Sequence, residues 1–249
     1  MTLRALYDVP APAKLNLFLH VVGRRADGYH LLESVFVLID WADRLSFELR
    51  ADGRLQRTDL GDPLPEDDLC LRAARALQAQ SGVSLGADIT IDKQVPSGAG
   101  MGGGSSDAAT VLLALNRIWA LNWPRERLLP IAARLGADVP FFVFGRNALV
   151  QGIGERLSTL ELPPQSYAVV KPSASIATRD IFESPLLGRD TPTAIIEGSL
   201  DSTALAGLTS GFGRNDLQPP AQSRSAEVAQ AARWLEQRFG NSRMTGSGS

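Results

Sequence analysis

The chain has 249 residues and a single cysteine, Cys70. One thiol excludes an internal disulfide and any cysteine-rich zinc or iron–sulfur site. Two histidines, His20 and His30, are too few for a histidine-built metal cluster. Neither sign of charge dominates: 25 basic and 27 acidic residues leave a formal net charge of −2. A general nucleic-acid binder would carry a basic excess, so no nucleic-acid partner is expected. No run of 18 apolar residues exists, which excludes a transmembrane helix and a membrane partner of that kind. The first residues lack the apolar core of a signal peptide, and a reducing, cytoplasmic protein is expected. Lysine is scarce as well. Of the 25 basic residues only Lys14, Lys93 and Lys171 are lysines. An ammonium is a compact point charge that a planar guanidinium cannot replace at a tight site, so each lysine marks a position to inspect.

What is present describes a folded globular chain. Apolar residues make up 44% and charged residues 21%, far from a disordered composition. The length fits one large or two modest domains. Alternating apolar residues predict strands at Leu15, Leu17 and Leu19, at Leu45, Phe47 and Leu49, and at Ile89 and Ile91. The continuous apolar run Phe141–Phe144 predicts a strand buried on both faces, and Tyr167–Val170 a further short strand. Helical spacing appears at Leu69–Leu77 before Gly82 and at Ala108–Trp119. It recurs at Leu128–Leu135 before Gly136 and at Val228–Phe239 before Gly240. A glycine just past the last turn stops a helix by taking the left-handed conformation. Pro163 and Pro164 mark a boundary near residue 160. Strands and helices mix without strict alternation, which predicts an α+β fold rather than a doubly wound sheet.

Glycine is in excess and concentrated. Of 23 glycines, Gly98, Gly100, Gly102, Gly103 and Gly104 fall in one short window. They lie in Pro96-Ser97-Gly98-Ala99-Gly100-Met101-Gly102-Gly103-Gly104-Ser105-Ser106, followed by Asp107-Ala108-Ala109, between a predicted strand and a predicted helix. Backbone N–H groups at the positive end of a helix cradle phosphate, and glycine lets the chain approach it. A flexible linker is the plain alternative, but linkers do not usually separate a good strand from a strong helix. No Gly-x4-Gly-Lys-Ser/Thr occurs, which excludes a Walker loop. A G-x-G-x-x-G match opens a dinucleotide-binding oxidoreductase reading. The acidic residue expected about 20 positions on is missing, because Asn116–Trp119 lie inside a helix. His-Arg-Asp and Asp-Phe-Gly are absent, which excludes a protein kinase.

The loop resembles the phosphate loop of the GHMP small-molecule kinases. Its extra glycines are closest to the branch that phosphorylates 4-diphosphocytidyl-2-C-methyl-D-erythritol. Pro12-Ala13-Lys14-Leu15-Asn16, Arg25-Ala26-Asp27-Gly28-Tyr29-His30 and Leu135-Gly136-Ala137-Asp138-Val139-Pro140 are similar to the same branch. Arg243-Met244-Thr245-Gly246-Ser247-Gly248 resembles the third glycine motif of the GHMP family. The resemblance implies a two-domain GHMP-kinase fold. Residues 1–160 would form a βα domain carrying the phosphate loop, and residues 161–249 a smaller ferredoxin-like α+β domain. Family members continue past the third motif with a further strand and helix, so that second domain is expected to be cut short.

The resemblance also implies roles. Asp138 is the general base and Lys14 its electrostatic partner. Taken alone, Asp138 reads equally well as a turn residue and Lys14 as an exposed strand lysine. The loop Pro96–Ser106 binds ATP with Mg²⁺, whose protein ligands are not identified. Asn16, Tyr29, His30, Lys93, Thr178 and Phe182 bind a substrate with a cytidine diphosphate moiety, Tyr29 and Phe182 sandwiching the base. The implied reaction is phosphorylation of a 2-hydroxyl. Other GHMP kinases, acting on homoserine, mevalonate or a sugar, are the nearest alternative. Lys171 has no role. Trp119, Trp123 and Trp234 are expected to pack near helix ends, and Cys70 to be buried as a small hydrophobe.

Overall fold

The computed structural model describes residues 3–196, 199–200, 204 and 207–247. Two long strands open the chain, β1 (Ala5–Arg24) and β2 (His30–Arg50), and they pair with each other. β3 (Leu55–Leu60), α1 (Leu69–Ser81) and β4 (Gly86–Asp92) follow. The glycine loop then leads into α2 (Gly103–Ile118), α3 (Arg125–Leu135) and α4 (Val139–Phe144). β5 (Ala148–Gly152) and β6 (Arg156–Thr159) complete the strands before residue 160. After it come α5 (Thr178–Phe182), the hairpin β7 (Ile195–Ile196) and β8 (Ser199–Leu200), α6 (Gln218–Arg224) and α7 (Ala226–Phe239). The mixture is the expected α+β. No described helix is long and apolar enough to cross a membrane.

The residues group into two compact units, and neither is continuous in sequence. The first holds residues 1–13, 39–97 and 102–145; the second holds 14–38, 98–101 and 146–249. A single cut near residue 160 does not reproduce this division, because β1 and β2 each contribute residues to both units.

In the first unit, β4 pairs antiparallel with β2 and parallel with β3. Leu45 opposes Ile91 and Phe47 opposes Ile89, and all four side chains are fully buried. Each such burial contributes about 1.5–3 kcal/mol. Asp68 begins α1 by accepting from the amides of Cys70 and Leu71, and Cys70 is buried as expected. Gly82 ends α1 with φ 69°. Gly136 also ends α3 where expected, but with φ 176°, which is ordinary extended backbone. The run Phe141–Phe144 is helix α4, not a strand. A short run buried all round satisfies either structure. Here Pro140 in the first turn and left-handed Gly145 at the end decide for helix.

In the second unit, β2 pairs antiparallel with β5, and β5 with β6. Both strands lie outside the expected set, although Ala148-Leu149-Val150 is a short apolar run bracketed by turn glycines. A core of Leu19, Val21, Ile181, Leu187, Leu217 and Val228 lies under α5, α6 and α7. Gly240 ends α7 in the left-handed conformation. The segment Tyr167–Val170 is not a strand. Instead it lines a cavity of about 660 Å³ with Leu15, Val228, Leu235 and Met244 on its apolar side. Beyond residue 160 the described residues pair in the β7–β8 hairpin, and Asn215 forms an isolated parallel bridge with Leu19 of β1. Trp119 is buried, its Nε1 donating to Gly86 O. Trp123 lies under the Arg127 guanidinium. Trp234 is 52% exposed and packs edge-on against Phe239 at the end of α7, their ring centroids 6.4 Å apart.

Candidate active site

The glycine loop alternates its backbone. Gly98, Gly100 and Gly102 have φ of 66°, 68° and 72°, a region that side chains rarely adopt. Gly102 is the N-cap of α2, and the first-turn amides that follow have no acceptor inside the helix. With the helix dipole they form an anion-attracting end. The two serines there differ. Ser106 is buried, its N–H donates to Gly102 O at 2.8 Å, and its hydroxyl to Pro12 O at 2.7 Å. Both its donors are therefore spent inside the first unit. Ser105 is half-buried.

Lys93 stands just before the loop with two carboxylates on its ammonium. Its Nζ donates to Asp107 Oδ2 at 2.7 Å and to Asp43 Oδ2. Asp43 is fully buried. Its other oxygen accepts from the amides of Gln94 at 2.6 Å and Val95 at 2.7 Å. One carboxylate thus fixes the backbone that enters the loop. Asp107, on the first turn of α2, ties the loop exit to the same lysine. Burial opposes the Lys93 ammonium, but the two carboxylates outweigh it and hold its pKa up. Burial, with Asp43 adding to it, pushes the Asp107 carboxyl up to about 7 against the pull of Lys93. Among the described residues Asp107 Oδ1 is buried without a hydrogen-bond partner. Sequence reasoning assigned no role to Asp43 or Asp107. The signal for Asp43 was its place on the buried face of β2, in phase with Leu45 and Phe47.

Asp138 also belongs to the first unit. It precedes α4 at φ −87° and ψ −15°, half-buried, and its side chain does not cap that helix.

In the second unit, Lys14 is 2% exposed, so it is not a surface lysine. Its Nζ donates to Asn16 Oδ1 at 2.8 Å and lies 4.6 Å from the centre of the Phe36 ring. Its backbone N–H donates to Met101 O at 2.9 Å, which binds β1 to the glycine loop. Asn16 is saturated. Its Nδ2 donates to Ser34 Oγ at 3.0 Å, and its Oδ1 also accepts from Thr245 Oγ1 at 3.0 Å and Gly246 N at 2.9 Å. The third glycine motif therefore docks on Asn16; its last residue, Gly248, lies outside the described residues. Asn215, buried and assigned no role from sequence, donates its amide to Met244 O and Gly246 O at 2.8 Å each. Gly100 and Gly246 approach backbone to backbone. A Cβ on Gly246 would stand 2.7 Å from Gly100 O, and one on Gly100 would meet Thr245 O.

His30 and Phe182 meet in the same unit, their rings stacked with centroids 5.0 Å apart and planes 27° apart. Burial, then Arg189, then Arg24 lower the His30 pKa. Phe182 also packs on the core described above. Tyr29 is 61% exposed. Thr178 is exposed, its hydroxyl 2.7 Å from that of Ser247. Lys171 is exposed and donates to Pro172 O. No group of three or more His, Cys, Asp or Glu side chains that could hold a metal occurs among the described residues. A Mg²⁺ ion accompanying ATP would be carried mainly by the nucleotide phosphates, the usual mode for this cation.

Residues 68–146 match the profile of the GHMP kinases N terminal domain. The α+β architecture, with the glycine loop opening α2 inside that stretch, is that of a GHMP kinase, a class of small-molecule phosphotransferases. The chain is 65% identical over 249 residues to the 4-diphosphocytidyl-2-C-methyl-D-erythritol kinase of Methylibium petroleiphilum, covering 100% of this chain and 85% of that protein. It is also similar to a crystal structure of 4-(cytidine 5'-diphospho)-2C-methyl-D-erythritol kinase. There the TM-score is 0.80 and the identity 35%, over 97% of this chain and 87% of that one. The homoserine kinase of Cytophaga hutchinsonii aligns over 100% of this chain and 75% of its own with a TM-score of 0.54. At 14% identity that likeness concerns the fold alone. The chain belongs to the 4-diphosphocytidyl-2-C-methyl-D-erythritol kinase family. It is a kinase, and the oxidoreductase alternative falls away.

Proposed function

We propose that this enzyme transfers the γ-phosphoryl group of ATP to the 2-hydroxyl of 4-diphosphocytidyl-2-C-methyl-D-erythritol, a step of non-mevalonate isoprenoid synthesis in the cytoplasm. The observation that carries the reading most directly is Lys14. It is a buried ammonium bonded to Asn16, on a strand whose backbone holds the glycine loop. Burying a charge is costly unless it is paired and hydrogen-bonded, and a surface role does not explain it. Asp138 accepts the proton of the substrate hydroxyl, whose oxygen attacks the γ-phosphorus as the bond to the β-phosphate oxygen breaks and ADP leaves. Lys14 offsets the charge developing on the transferred group, and the loop amides hold the phosphates. Positioning and electrostatics supply most of the acceleration in such reactions. A Mg²⁺ ion bound with the nucleotide would neutralise phosphate charge. His30 and Phe182, with Tyr29, take the cytidine ring. Lys93 acts on the nucleotide loop through its carboxylates.

A coupled ADP-release assay with the diphosphocytidyl substrate tests the reading, run beside Asp138→Ala and Lys14→Met. Turnover is expected in the parent and near-total loss in both variants. Activity on homoserine but not on this substrate overturns the substrate assignment. Full activity of Asp138→Ala overturns the mechanism. Thermal stabilisation by ATP and not by NAD is the accompanying expectation.

A further inference from the structure

One guanidinium in the second unit joins three parts of the pyrimidine site. Arg189 donates from Nε to His30 Nε2 at 3.1 Å and from Nη2 to Phe182 O at 2.9 Å and Ser184 O at 3.2 Å. From Nη1 it donates to Leu187 O at 3.0 Å. Its planar fork is thus used on both sides, once on a ring and three times on the backbone that carries the facing ring. The sequence alone carries no signal for it, since Arg189 sits in irregular chain far from His30.

The hydrogen bond to His30 has a definite chemical effect. An arginine only donates, so Nε2 must be the lone-pair nitrogen, and the single proton of the neutral ring sits on Nδ1. Among the described residues Nδ1 makes no hydrogen bond. The ring therefore offers one donor and, with Nε2 occupied, no acceptor. Cytosine presents acceptors at O2 and N3. Uracil carries a hydrogen at N3 and needs an acceptor there. A ring held as an Nδ1 donor accepts the first edge and rejects the second. The charged groups acting on the ring are Arg189 and Arg24, both cations, and they favour its neutral form.

We infer that Arg189 is a positioning residue that locks His30 as an Nδ1–H donor and thereby selects cytosine over uracil. The inference rests on the assignment of His30 and Phe182 to the base in the proposed function. Arg189 touches neither the base nor the reacting atoms; it acts through His30 and through the end of α5. Removing it frees Nε2 to take the proton and Nδ1 to become an acceptor, which a uracil N3–H can use. The cost of the wrong base then falls by about one hydrogen bond, roughly tenfold in relative kcat/KM.

Two measurements test this. The first is the ¹⁵N chemical-shift pattern of the two histidines in the full chain at pH 7, with no ligand, which reads the tautomer without reference to activity. His30 is expected neutral with its proton on Nδ1. A proton on Nε2, or an imidazolium, overturns the inference. The second compares kcat/KM for the diphosphocytidyl substrate and its diphosphouridyl analogue in the parent, Arg189→Lys and Arg189→Leu. Arg189→Leu is expected to lower the cytosine-to-uracil ratio about tenfold, mainly through KM, with Arg189→Lys closer to the parent. An unchanged ratio in a folded Arg189→Leu overturns the inference. If that variant does not fold, the histidine tautomer of the parent decides alone. Absence of parent turnover on either substrate counts against the proposed function, which the tautomer measurement does not touch.

Discussion

Lys14 Nζ donates to Asn16 Oδ1 at 2.8 Å, from two positions earlier on the same face of β1. The same oxygen accepts from Thr245 and Gly246. One side-chain carbonyl therefore couples the proposed phosphoryl-stabilising cation to the third glycine motif. Replacing Asn16 by Leu is expected to lower kcat at least tenfold. It should also destabilise the fold by about 1–3 kcal/mol, the cost of buried donors losing their acceptor. Steady-state kinetics and a denaturant melt check both. Unchanged kcat with lowered stability would mean that Asn16 only holds the motif.

Gly100 and Gly246 both take positive φ and touch through their backbones. Gly246→Ala is expected to cost about 1–3 kcal/mol from strain at such a position. It should also raise the KM for ATP, because Gly100 must shift. Gly98→Ala shares the positive φ but has open space around it, so it should strain the loop without pushing the third motif away. Thermal melts with and without ATP separate the two.

The two serines of the loop predict opposite phenotypes. Ser106→Ala removes a hydroxyl bonded to Pro12 O in a buried position and should reduce stability by about 1–3 kcal/mol, with the KM for ATP little changed in the folded fraction. Ser105→Ala should raise the KM for ATP and leave stability near the parent. A reversed pattern would place Ser106, not Ser105, on the phosphates.

Asp107 makes a pH prediction. Its carboxyl is raised from 3.8 to about 7, chiefly by burial. The folded state then holds a proton that the unfolded state has released, so between about pH 4 and pH 7 this group loses stability for the fold as pH rises. Asp107→Asn removes that component. The Tm difference, variant minus parent, should be more positive at pH 8 than at pH 5. A difference independent of pH would show that Lys93 keeps Asp107 ionised throughout.

Much of the fold was legible because local chemistry was unambiguous. Alternation placed Leu45, Phe47, Ile89 and Ile91 on one buried face, and Gly82 and Gly240 stop their helices in the left-handed conformation expected. Phe141–Phe144 and Tyr167–Val170 were misread for one reason. A short apolar run does not state its own period, and its neighbours decide whether it becomes a helix or an unpaired cavity wall. The site was legible where residues sit in contiguous motifs, as at Lys14, Asn16 and the glycine loop. Asp43, Asn215 and Arg189 were not, because each acts on a partner far away in sequence, and nothing beside them marks that partner. Arg189 and His30 are 159 positions apart.

The bond from Gly246 to Asn16 spans 230 residues. A ribosome adding about 5–20 residues per second needs about 10–50 s to travel that far. Throughout that interval the nascent strand bearing Lys14 lacks Gly246, and for nearly all of it Thr245. The strand bearing Lys14 is therefore tied to the third glycine motif only after residue 246 has been made, and a product stalled before it would bear the glycine loop without that tie.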